Sequence, residues 1–215
     1  SLLDAGLDTM PGGGAEVFSP GVRATIADKK LAGDDWIRVH REAHQLGIRT
    51  NCTMLYGHVE TVEDRINHLS MLRELQTETG GFLAYIPLAY HPDNNELGET
   101  LHRVGTATSG FDDLRNLAVG RLYLDNIPHI KTHWVMVTPF LSQASLHFGV
   151  KDMEGTMVHE KIYHEAGAHT AQAMALDNLL ALIRGAGKVP VERDSFYTVV
   201  REYEGRPATA AHQAA

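Results

Sequence analysis

The feature that most constrains this chain is a regular alternation between strand-like runs and stretches with helical periodicity. Short apolar runs such as "FLAYIPLAY" are typical of fully buried strands, and longer segments with apolar residues at helical spacing follow them. We count about five strand-plus-helix units, the first of which begins at "GLDTM". Consecutive βα units predict right-handed connections and a parallel sheet. Five units fit an open doubly wound sheet, and they also fit an eight-stranded barrel without its first three units.

Capping signals and glycines define the individual elements. Thr61 and Asp64 form a capping-box-like start for a helix over 62–78. The polar stretch from His91 to Gly110 is long for a compact domain, so we expect a functional loop there. The other predicted elements are helices over 34–48, 112–126 (capped by Asp112), 139–149 and 171–187 (opened by Thr170), and strands over 49–57, 82–90, 129–137 and 152–158.

Composition excludes several classes of protein. The formal net charge is -8 and no basic face accumulates, which argues against a nucleic-acid-binding protein. No apolar run approaches the roughly 18 residues that a membrane-spanning helix needs, and no signal-peptide pattern opens the chain, so we expect a cytoplasmic protein. Cys52 is the only cysteine, which excludes a disulfide framework and an iron–sulfur ligand set within this sequence.

The run "TMPGGGAEVFSP" places three consecutive glycines, Gly12 to Gly14, close to the carboxylate of Glu16. It is not a dinucleotide-binding GxGxxG motif, because Pro11 precedes it and Pro20 follows it, and no helix starts inside it. One interpretation is a tight surface loop. The other is a backbone platform under the sugar or amino-acid portion of a ligand, with Glu16 accepting hydrogen bonds from hydroxyl or ammonium groups.

Polar side chains gather after the predicted strands, where parallel α/β folds place their active sites. The segments are "MPGGGAE", "MLYGHVE", "PLAYHPDNN", "DNIPHIK" and "GTMVHEKIYHEAGAH". The histidines in them are equally compatible with structural roles, and Gly57 and Glu60 with a simple turn before a helix. His159 and His164 are five positions apart, which does not place them on one helical face, so a zinc site is a weak hypothesis.

Three longer runs resemble one known family. They are "GLDTMPGGGAEVFSP", "AHQLGIRTNCTMLYGHVETVEDRINHLSMLRELQTETGGFLAYIPLAYHP" and "DNIPHIKTHW", and the resemblance extends through Tyr203. The family is the branch of the radical SAM superfamily that serves menaquinone and deazaflavin synthesis. The run "GTMVHEKIYHEAGA" favours the member of the futalosine route that makes aminodeoxyfutalosine. The alternatives within the branch are cyclic dehypoxanthine futalosine synthase and the larger subunit of the deazaflavin-core synthase.

The resemblance implies an α/β fold, a partial (β/α)8 radical SAM barrel of the TIM type. Residues 1–168 would supply about strands 4–8 of the barrel, residues 169–204 a C-terminal helical extension, and residues 205–215 a disordered tail. Members of the family carry a CxxxCxxC motif whose thiolates hold a 4Fe-4S cluster, and this sequence lacks that motif. We therefore expect the chain to be the C-terminal part of such an enzyme and to be inactive alone.

For the complete enzyme, the resemblance implies a transferase that uses S-adenosylmethionine and a 4Fe-4S cluster. The deoxyadenosyl group of S-adenosylmethionine adds as a radical to the enol-ether double bond of carboxyvinyloxybenzoate, which gives aminodeoxyfutalosine. The implied partners are this small-molecule substrate and an electron donor for the cluster.

The resemblance also gives roles to residues that follow the strands. The expected S-adenosylmethionine-binding residues are Gly12, Gly13, Gly14, Glu16, Thr53, Tyr56, Gly57 and His58. The expected partners of the substrate carboxylates are His91, Asn126, His129 and Lys131. No metal ligand and no catalytic residue is assigned within this chain.

Two functions of other classes stay open. A cluster-free α/β module that binds a nucleoside or an aromatic acid would fit the chain length and the lack of cysteines, although a partial sheet would expose an apolar edge. A metal-dependent hydrolase would rest on the thirteen histidines alone.

Overall fold

The computed structural model describes residues 3–102, 108–156, 161–165 and 171–203. Strands and helices alternate along most of these ranges, as the sequence predicts. None of the helices in them combines the length and the apolar character that crossing a bilayer requires. In chain order the elements are β1 (Thr9–Met10), α1 (Pro20–Ile26), α2 (Gly33–Gln45), β2 (Arg49–Tyr56), α3 (Val62–Thr79), β3 (Phe82–Ala89), α4 (Glu96–His102), α5 (Gly110–Tyr123), β4 (His129–Thr132), α6 (Trp134–Val137), α7 (Pro139–Ser145), β5 (Asp152–Met153), α8 (Ile162–Glu165), α9 (Leu176–Gly185), β6 (Val191–Arg193) and β7 (Val199–Glu202).

The first five strands form one parallel sheet in the order β1-β2-β3-β4-β5. The predicted parallel sheet is therefore confirmed. The two eight-residue strands β2 and β3 form its centre, where Tyr56 pairs with Ala89 at the end of the ladder. β1 and β5, of two residues each, form its margins. A separate antiparallel hairpin, β6–β7, follows near the end of the described chain.

Capping chemistry explains where the two longest helices begin. At α3, the Thr61 side chain accepts a hydrogen bond from the Asp64 backbone N–H, and the Asp64 carboxylate accepts one from the Thr61 backbone N–H, as predicted. At α5 the same box is formed by Ser109 and Asp112. The N-cap of α5 is therefore Ser109, and the predicted cap Asp112 is instead its partner within the first turn.

The segment after β4 differs from its prediction. The strand expected over 129–137 ends at Thr132, because Trp134–Val137 forms a short helix that buries Trp134 and Val135. Apolar residues in a short run fit a strand and a buried helical turn equally well, so periodicity alone could not separate them. Of the strand expected over 152–158, the described residues up to 156 form strand only at Asp152–Met153.

Three other expectations need correction. Helix α4 occupies part of the stretch 91–110 that was expected to be loop. Helix α9 begins after Ala175, later than the predicted start at Thr170, which lies outside the described residues. The expected helical extension ends in the β6–β7 hairpin and so is only partly helical. The expected tail over 205–215 also lies outside the described residues.

Helices cover one face of the sheet. The apolar stripe of α3, Leu69, Leu72 and Leu75, packs in one core with alternate side chains of β2. The ring of Tyr85 on β3 lies under α5, since a Cβ at Gly120 would come within 2.9 Å of it. Buried residues of β2 and β3 that belong to this core are Cys52, Met54, Tyr56, Phe82, Tyr85 and Ala89.

The opposite face of the sheet, which we call the inner face, is only partly covered. Side chains alternate between the two faces of a strand, and paired residues of parallel strands point to the same face. The register therefore places a mostly half-buried set on the inner face. It comprises Asn51, Thr53 and Leu55 of β2, Ala84, Ile86 and Leu88 of β3, His129 and Lys131 of β4, Asp152 of β5 and, just past the strand ends, His133 and Glu154.

Candidate functional site

The C-terminal ends of the parallel strands meet at one edge of the sheet, which we call the C-terminal edge. The residues Pro11–Val17, which we call the glycine loop, follow β1 there. Gly57 and His58 follow β2, and His91 follows β3. Lys131 lies next to the last residue of β4. The structure therefore brings most of the predicted site segments to one edge.

The glycine loop turns its carbonyl groups toward the body of the protein. Side chains from three elements bond to four consecutive carbonyls: Thr53 Oγ1 to Gly12 (2.6 Å), Trp36 Nε1 to Gly13 (3.1 Å), and Arg23 to Gly14 (3.3 Å) and Ala15 (2.6 Å). Among the described residues, the backbone N–H groups of Gly13–Glu16 have no hydrogen-bond partner. The loop thus has its acceptors satisfied from behind and its donors available to a ligand.

The three glycines have different surroundings. A Cβ on Gly12 would lie 2.5 Å from the backbone oxygen of Asn51, so this glycine allows the loop to pack on β2. A Cβ on Gly13 or Gly14 would meet no atom within 4 Å. Gly14 has a φ of +82°, which a side chain would disfavour. Gly12 therefore serves packing, whereas Gly13 and Gly14 leave open backbone that a ligand can approach.

Glu16 follows the glycines in an unusual backbone conformation. Its φ is +44°, in the left-handed region, and its carbonyl accepts a hydrogen bond of 2.9 Å from the Leu55 backbone. Its carboxylate is largely covered and pairs with the exposed ammonium group of Lys30. The position accepts a cationic or donor group, as the sequence predicts for a ligand hydroxyl or ammonium group.

Tyr56 lies on the helical side of the sheet and not at the site. Its side chain is fully buried, and its hydroxyl donates a 2.8 Å hydrogen bond to Asp113 on α5. Burial raises the pKa of Asp113, which this hydrogen bond partly opposes. Strand alternation therefore directs the ring of Tyr56 into the core and away from the C-terminal edge, and its expected contact with a cofactor stays a prediction.

Gly57 and His58 form the turn that Glu60 closes. The Glu60 carboxylate accepts hydrogen bonds from the backbone N–H groups of Gly57 (2.5 Å) and His58 (2.8 Å). The buried His58 ring lies 3.0 Å from Glu60 Oε2 and 3.0 Å from the Leu55 carbonyl. Burial lowers the pKa of His58, although Glu60 opposes this shift. These contacts support the turn interpretation for both residues.

The inner face carries an ion-pair cluster that includes Lys131. Lys131 Nζ lies 2.7 Å from Glu154 Oε2, and His133 Nε2 lies 3.8 Å from the same oxygen. Burial alone would raise the pKa of Glu154, but the attraction and hydrogen bond of Lys131 hold it below its usual value. This cluster, Lys131–His133–Glu154, places two nitrogen bases and one carboxylate beside the apolar inner-face side chains.

His133 and Glu154 were missed by the sequence interpretation. The sequence did contain a signal for His133. It lies two positions after Lys131, and residues two apart on a strand share a face. Glu154 was hidden because the prediction placed it inside a longer strand, whereas β5 ends at Met153.

Asn126 and His129 do not lie at the C-terminal edge. His129 opens β4, and its ring stacks on Tyr197 of the β6–β7 turn at 4.1 Å. Asn126 donates hydrogen bonds to Arg73 (3.0 Å) and Thr77 (2.9 Å) near the end of α3. The structure therefore places both residues at the opposite edge, since they precede or open the strand, and their substrate-binding role stays a prediction.

The β6–β7 hairpin covers that opposite edge through charged and aromatic contacts. Arg193 makes a bidentate pair with Asp152 at 2.6 and 2.9 Å and lies 3.9 Å above the Tyr197 ring. Burial lowers the pKa of His129, the nearby Asp152 opposes this shift, and the neighbouring Arg193 adds to it. The hairpin thus closes one end of the inner face and leaves the C-terminal edge open.

Two cavities adjoin the C-terminal edge. His91 lines a cleft of about 360 Å³ between the end of β3 and the start of α5, with Thr108 and Leu141 on its far side. A larger cavity of about 600 Å³ lies behind the glycine loop, among α1, α2 and α3, and includes Arg23 and His68. The first cavity is nearer to the predicted substrate residues.

The resemblance implies two bound groups, S-adenosylmethionine and a 4Fe-4S cluster, and the residues of this chain fit only the first. Cys52 is fully buried, its thiol faces the Ala84 carbonyl at 3.5 Å, and burial raises its pKa, so it cannot serve as a cluster ligand. The chain therefore does not supply a 4Fe-4S site. The open backbone of Gly13 and Gly14 and the acceptor Glu16 do fit the polar portion of S-adenosylmethionine.

Comparison with known proteins agrees with this architecture. Residues 79–205 match the family model described as the CofH/MqnC C-terminal region. Over 95% of this chain, the sequence is 53% identical to aminodeoxyfutalosine synthase of Thermus thermophilus and 45% identical to that of Streptomyces coelicolor. It is 44% identical, also over 95% of this chain, to 5-amino-6-(D-ribitylamino)uracil–L-tyrosine 4-hydroxyphenyl transferase 1 of Methanosarcina barkeri.

The chain spans about half the length of these curated relatives, since the matches cover 55%, 54% and 55% of them. The match to the family model extends from the end of α3 through the β6–β7 hairpin and so includes the inner-face cluster. The chain belongs to the family defined by the CofH/MqnC C-terminal region.

Proposed function

We propose that the protein containing this chain is an aminodeoxyfutalosine synthase, a radical SAM transferase of menaquinone biosynthesis. It would cleave S-adenosylmethionine to methionine and add the deoxyadenosyl group to the double bond of carboxyvinyloxybenzoate. Rearrangement and loss of one carboxyl group as carbon dioxide or bicarbonate would then give aminodeoxyfutalosine. The observation that carries the proposal is the 53% identity, over 95% of this chain, to the Thermus thermophilus enzyme of that name. The 45% identity to the Streptomyces coelicolor enzyme supports it.

The five-stranded sheet is then part of a (β/α)8 barrel, with residues 1–168 in the barrel and 169–204 as an extension. The sequential strand order and the partly covered inner face support this interpretation, because barrel strands follow one another around an enclosed interior. Active sites of such barrels lie at the C-terminal edge, where the glycine loop and Lys131 are found.

The glycine loop would bind S-adenosylmethionine, which supplies the deoxyadenosyl group. The free N–H groups of Gly13–Glu16 would donate to its polar oxygens, and the Glu16 carboxylate would accept from a hydroxyl or the ammonium group. Thr53 would act through the loop, since its hydroxyl is bonded to the Gly12 carbonyl. Gly57 and His58 would shape the neighbouring turn.

Lys131 would bind a carboxylate of carboxyvinyloxybenzoate. An ammonium group has three donors, so Lys131 can keep its bond to Glu154 and still donate to a substrate oxygen. Glu154 would orient Lys131, and His133 would offer a further donor. His91, in its cleft at the end of β3, is placed to meet the distal part of the substrate. The apolar Ile86 and Leu88 between them would exclude water from the reacting atoms.

The iron–sulfur cluster and its electron donor would have to come from outside these 215 residues. The lone buried Cys52 supports this assignment. Anaerobic reconstitution of the 215-residue chain with iron and sulfide is accordingly expected to leave it colourless, with no deoxyadenosine formed after dithionite is added.

A second candidate function has its own support. The 44% identity to the Methanosarcina barkeri enzyme extends over the same 95% of the chain. The alternative is therefore transfer of the 4-hydroxyphenyl-containing group of tyrosine to 5-amino-6-(D-ribitylamino)uracil. The carboxylates of carboxyvinyloxybenzoate and that of tyrosine would both fit Lys131, so the geometry does not separate the two reactions.

The test uses a chimera in which this chain follows the N-terminal portion of the Thermus thermophilus relative. The reconstituted chimera receives S-adenosylmethionine and dithionite with either carboxyvinyloxybenzoate or the tyrosine and ribitylaminouracil pair. We expect aminodeoxyfutalosine by mass spectrometry with the first substrate only. Lys131→Met should abolish the product, while Lys188→Met, at an exposed site, should not. Product from the tyrosine pair alone would favour the second candidate.

A further inference from the structure

We propose that Arg23 is a positioning residue that holds the glycine loop, Pro11–Val17, in the conformation that its ligand meets. Identifying that ligand as S-adenosylmethionine rests on the proposed function. We call the hydrogen bonds from Arg23 to the loop carbonyls the clamp, and the clamp rests only on contacts within this chain.

Arg23 is a buried cation whose hydrogen bonds go to main-chain carbonyls. It lies on α1 and is 5% exposed. Its guanidinium donates to the carbonyls of Ala15 (2.6 Å), Gly14 (3.3 Å) and Val17 (3.4 Å) and to that of Leu31. Three of these four acceptors belong to the glycine loop, so one side chain fixes much of its backbone.

The choice of arginine has a physical reason. A guanidinium presents five donors in a rigid fork, so it can hold several carbonyls at once, whereas a lysine ammonium acts from one point. Burial lowers the pKa of Arg23, and the attraction of Glu16 offsets only part of this effect. Desolvating a cation against neutral acceptors costs free energy that an apolar side chain would not. The hydrogen bonds to the loop carbonyls offset this cost, and we infer that an arginine is used here because the loop must keep one conformation.

Arg23 controls the backbone conformation at Glu16. Arg23 bonds to the carbonyls of Ala15 and Val17, on both sides of Glu16. Glu16 itself has a φ of +44°, a conformation that a non-glycine residue rarely adopts without support. Because both neighbours are held, the direction of the Glu16 carboxylate is set by Arg23.

The Leu55 backbone amide reports on this clamp. Its N–H donates to the Glu16 carbonyl at 2.9 Å, so it is protected from exchange with solvent only while the loop is docked on β2. The variants are Arg23→Lys, which keeps a cation and a smaller number of donors, and Arg23→Met, which keeps only the apolar stem. The matched control is Arg38→Met, since Arg38 is exposed and pairs with Glu42 on α2.

In the 215-residue chain, Arg23→Met should speed hydrogen exchange at Leu55 by at least about ten-fold, with a smaller effect for Arg23→Lys. In the full-length chimera, the KM for S-adenosylmethionine should rise about ten-fold, with kcat and the KM for carboxyvinyloxybenzoate within about two-fold. Arg38→Met should change neither measurement. A residue that only stabilised the fold would lower the active fraction, and hence kcat, without this split.

If Arg23→Met fails to fold, Arg23→Lys alone decides the question by the same two measurements. A folded variant with unchanged exchange at Leu55 would overturn the clamp. Faster exchange in a chimera whose wild-type form binds no S-adenosylmethionine would support the clamp and refute the proposed ligand. The failure of one idea is therefore distinguishable from the failure of the other.

Discussion

The glycine loop and the cluster Lys131–His133–Glu154 lie at the two sides of the same sheet edge and are held by opposite means. The loop is fixed by hydrogen bonds between side-chain donors and its neutral carbonyls. The cluster is fixed by an ion pair of 2.7 Å between partly buried groups. Both regions present further hydrogen-bonding capacity, the loop through its backbone N–H groups and the cluster through the ammonium group of Lys131.

The two regions should therefore respond differently to pH and to substitution. The loop's donors are the hydroxyl of Thr53, the indole of Trp36 and the guanidinium of Arg23, which stays protonated in proteins, so the loop should keep its shape over a wide pH range. The ion pair depends on the ionisation of Glu154, so it should weaken in acid. Steric changes should damage the loop, whereas changes of charge should damage the cluster.

The largest expected effect is steric and falls on the loop. Gly12→Ala places a Cβ 2.5 Å from the Asn51 backbone oxygen, and backbone cannot move aside as a flexible side chain can. We expect it to lower the free energy of unfolding by about 3 kcal/mol. Urea unfolding of the 215-residue chain measures this loss. A loss below about 1 kcal/mol would mean that the loop is not packed on β2 as described.

The next largest effect is electrostatic and falls on the cluster. Lys131→Met leaves the largely buried Glu154 carboxylate without its main partner. We expect a loss of about 2 kcal/mol at pH 7, less than for a fully buried pair because both groups keep some solvent contact.

The pH dependence of this loss follows from Glu154. Its folded-state pKa is below its usual value, so its stabilising contribution is present above the unfolded pKa of about 4.3 and is lost as pH falls through the folded pKa. The difference between wild type and Lys131→Met should therefore shrink as the pH falls from 7 toward 3. A difference that stayed constant with pH would show that the methionine acts through packing alone.

Much of the fold could be predicted because its determinants are local. The capping box of Thr61 and Asp64 and the alternation of apolar runs identified α3 and the parallel sheet. The strand predicted through Val137 failed because burial of Trp134 in a helical turn is a tertiary effect. A short apolar run carries no signal that separates these outcomes.

The site was predictable in position but less so in detail. Residues after strands were expected at one edge, and the glycine loop, His91 and Lys131 are found there. The burial of Tyr56 in the core could not be predicted, because the face of the sheet on which a strand residue lies depends on register. A single sequence does not reveal that register. Glu154 was missed because its partner Lys131 is distant in sequence, and Arg23 because its contacts depend on how the loop folds back onto α1.

A smaller effect is expected from the hydroxyl that supports the loop. Thr53→Val keeps the shape of the side chain but removes the 2.6 Å hydrogen bond to the buried Gly12 carbonyl. We expect a loss of about 1–2 kcal/mol in urea unfolding, independent of pH between 4 and 8, since neither partner titrates. Thr53→Ser, which keeps the hydroxyl, is the matched control. A loss that varied with pH would break the contrast between the two regions.

The smallest expected change in stability tests the loop as a binding surface. A Cβ on Gly13 would meet no atom within 4 Å, so Gly13→Ala should alter the free energy of unfolding by no more than about 0.5 kcal/mol. The same methyl group would stand between the backbone and a bound ligand. We therefore expect S-adenosylmethionine to bind the full-length chimera about ten-fold more weakly, measured by calorimetry, because close backbone approach requires glycine. Gly21→Ala, at another exposed glycine with no atom within 4 Å of the added Cβ, should leave the affinity unchanged. Equal affinity of Gly13→Ala and wild type would favour the interpretation of the glycine run as a tight surface loop.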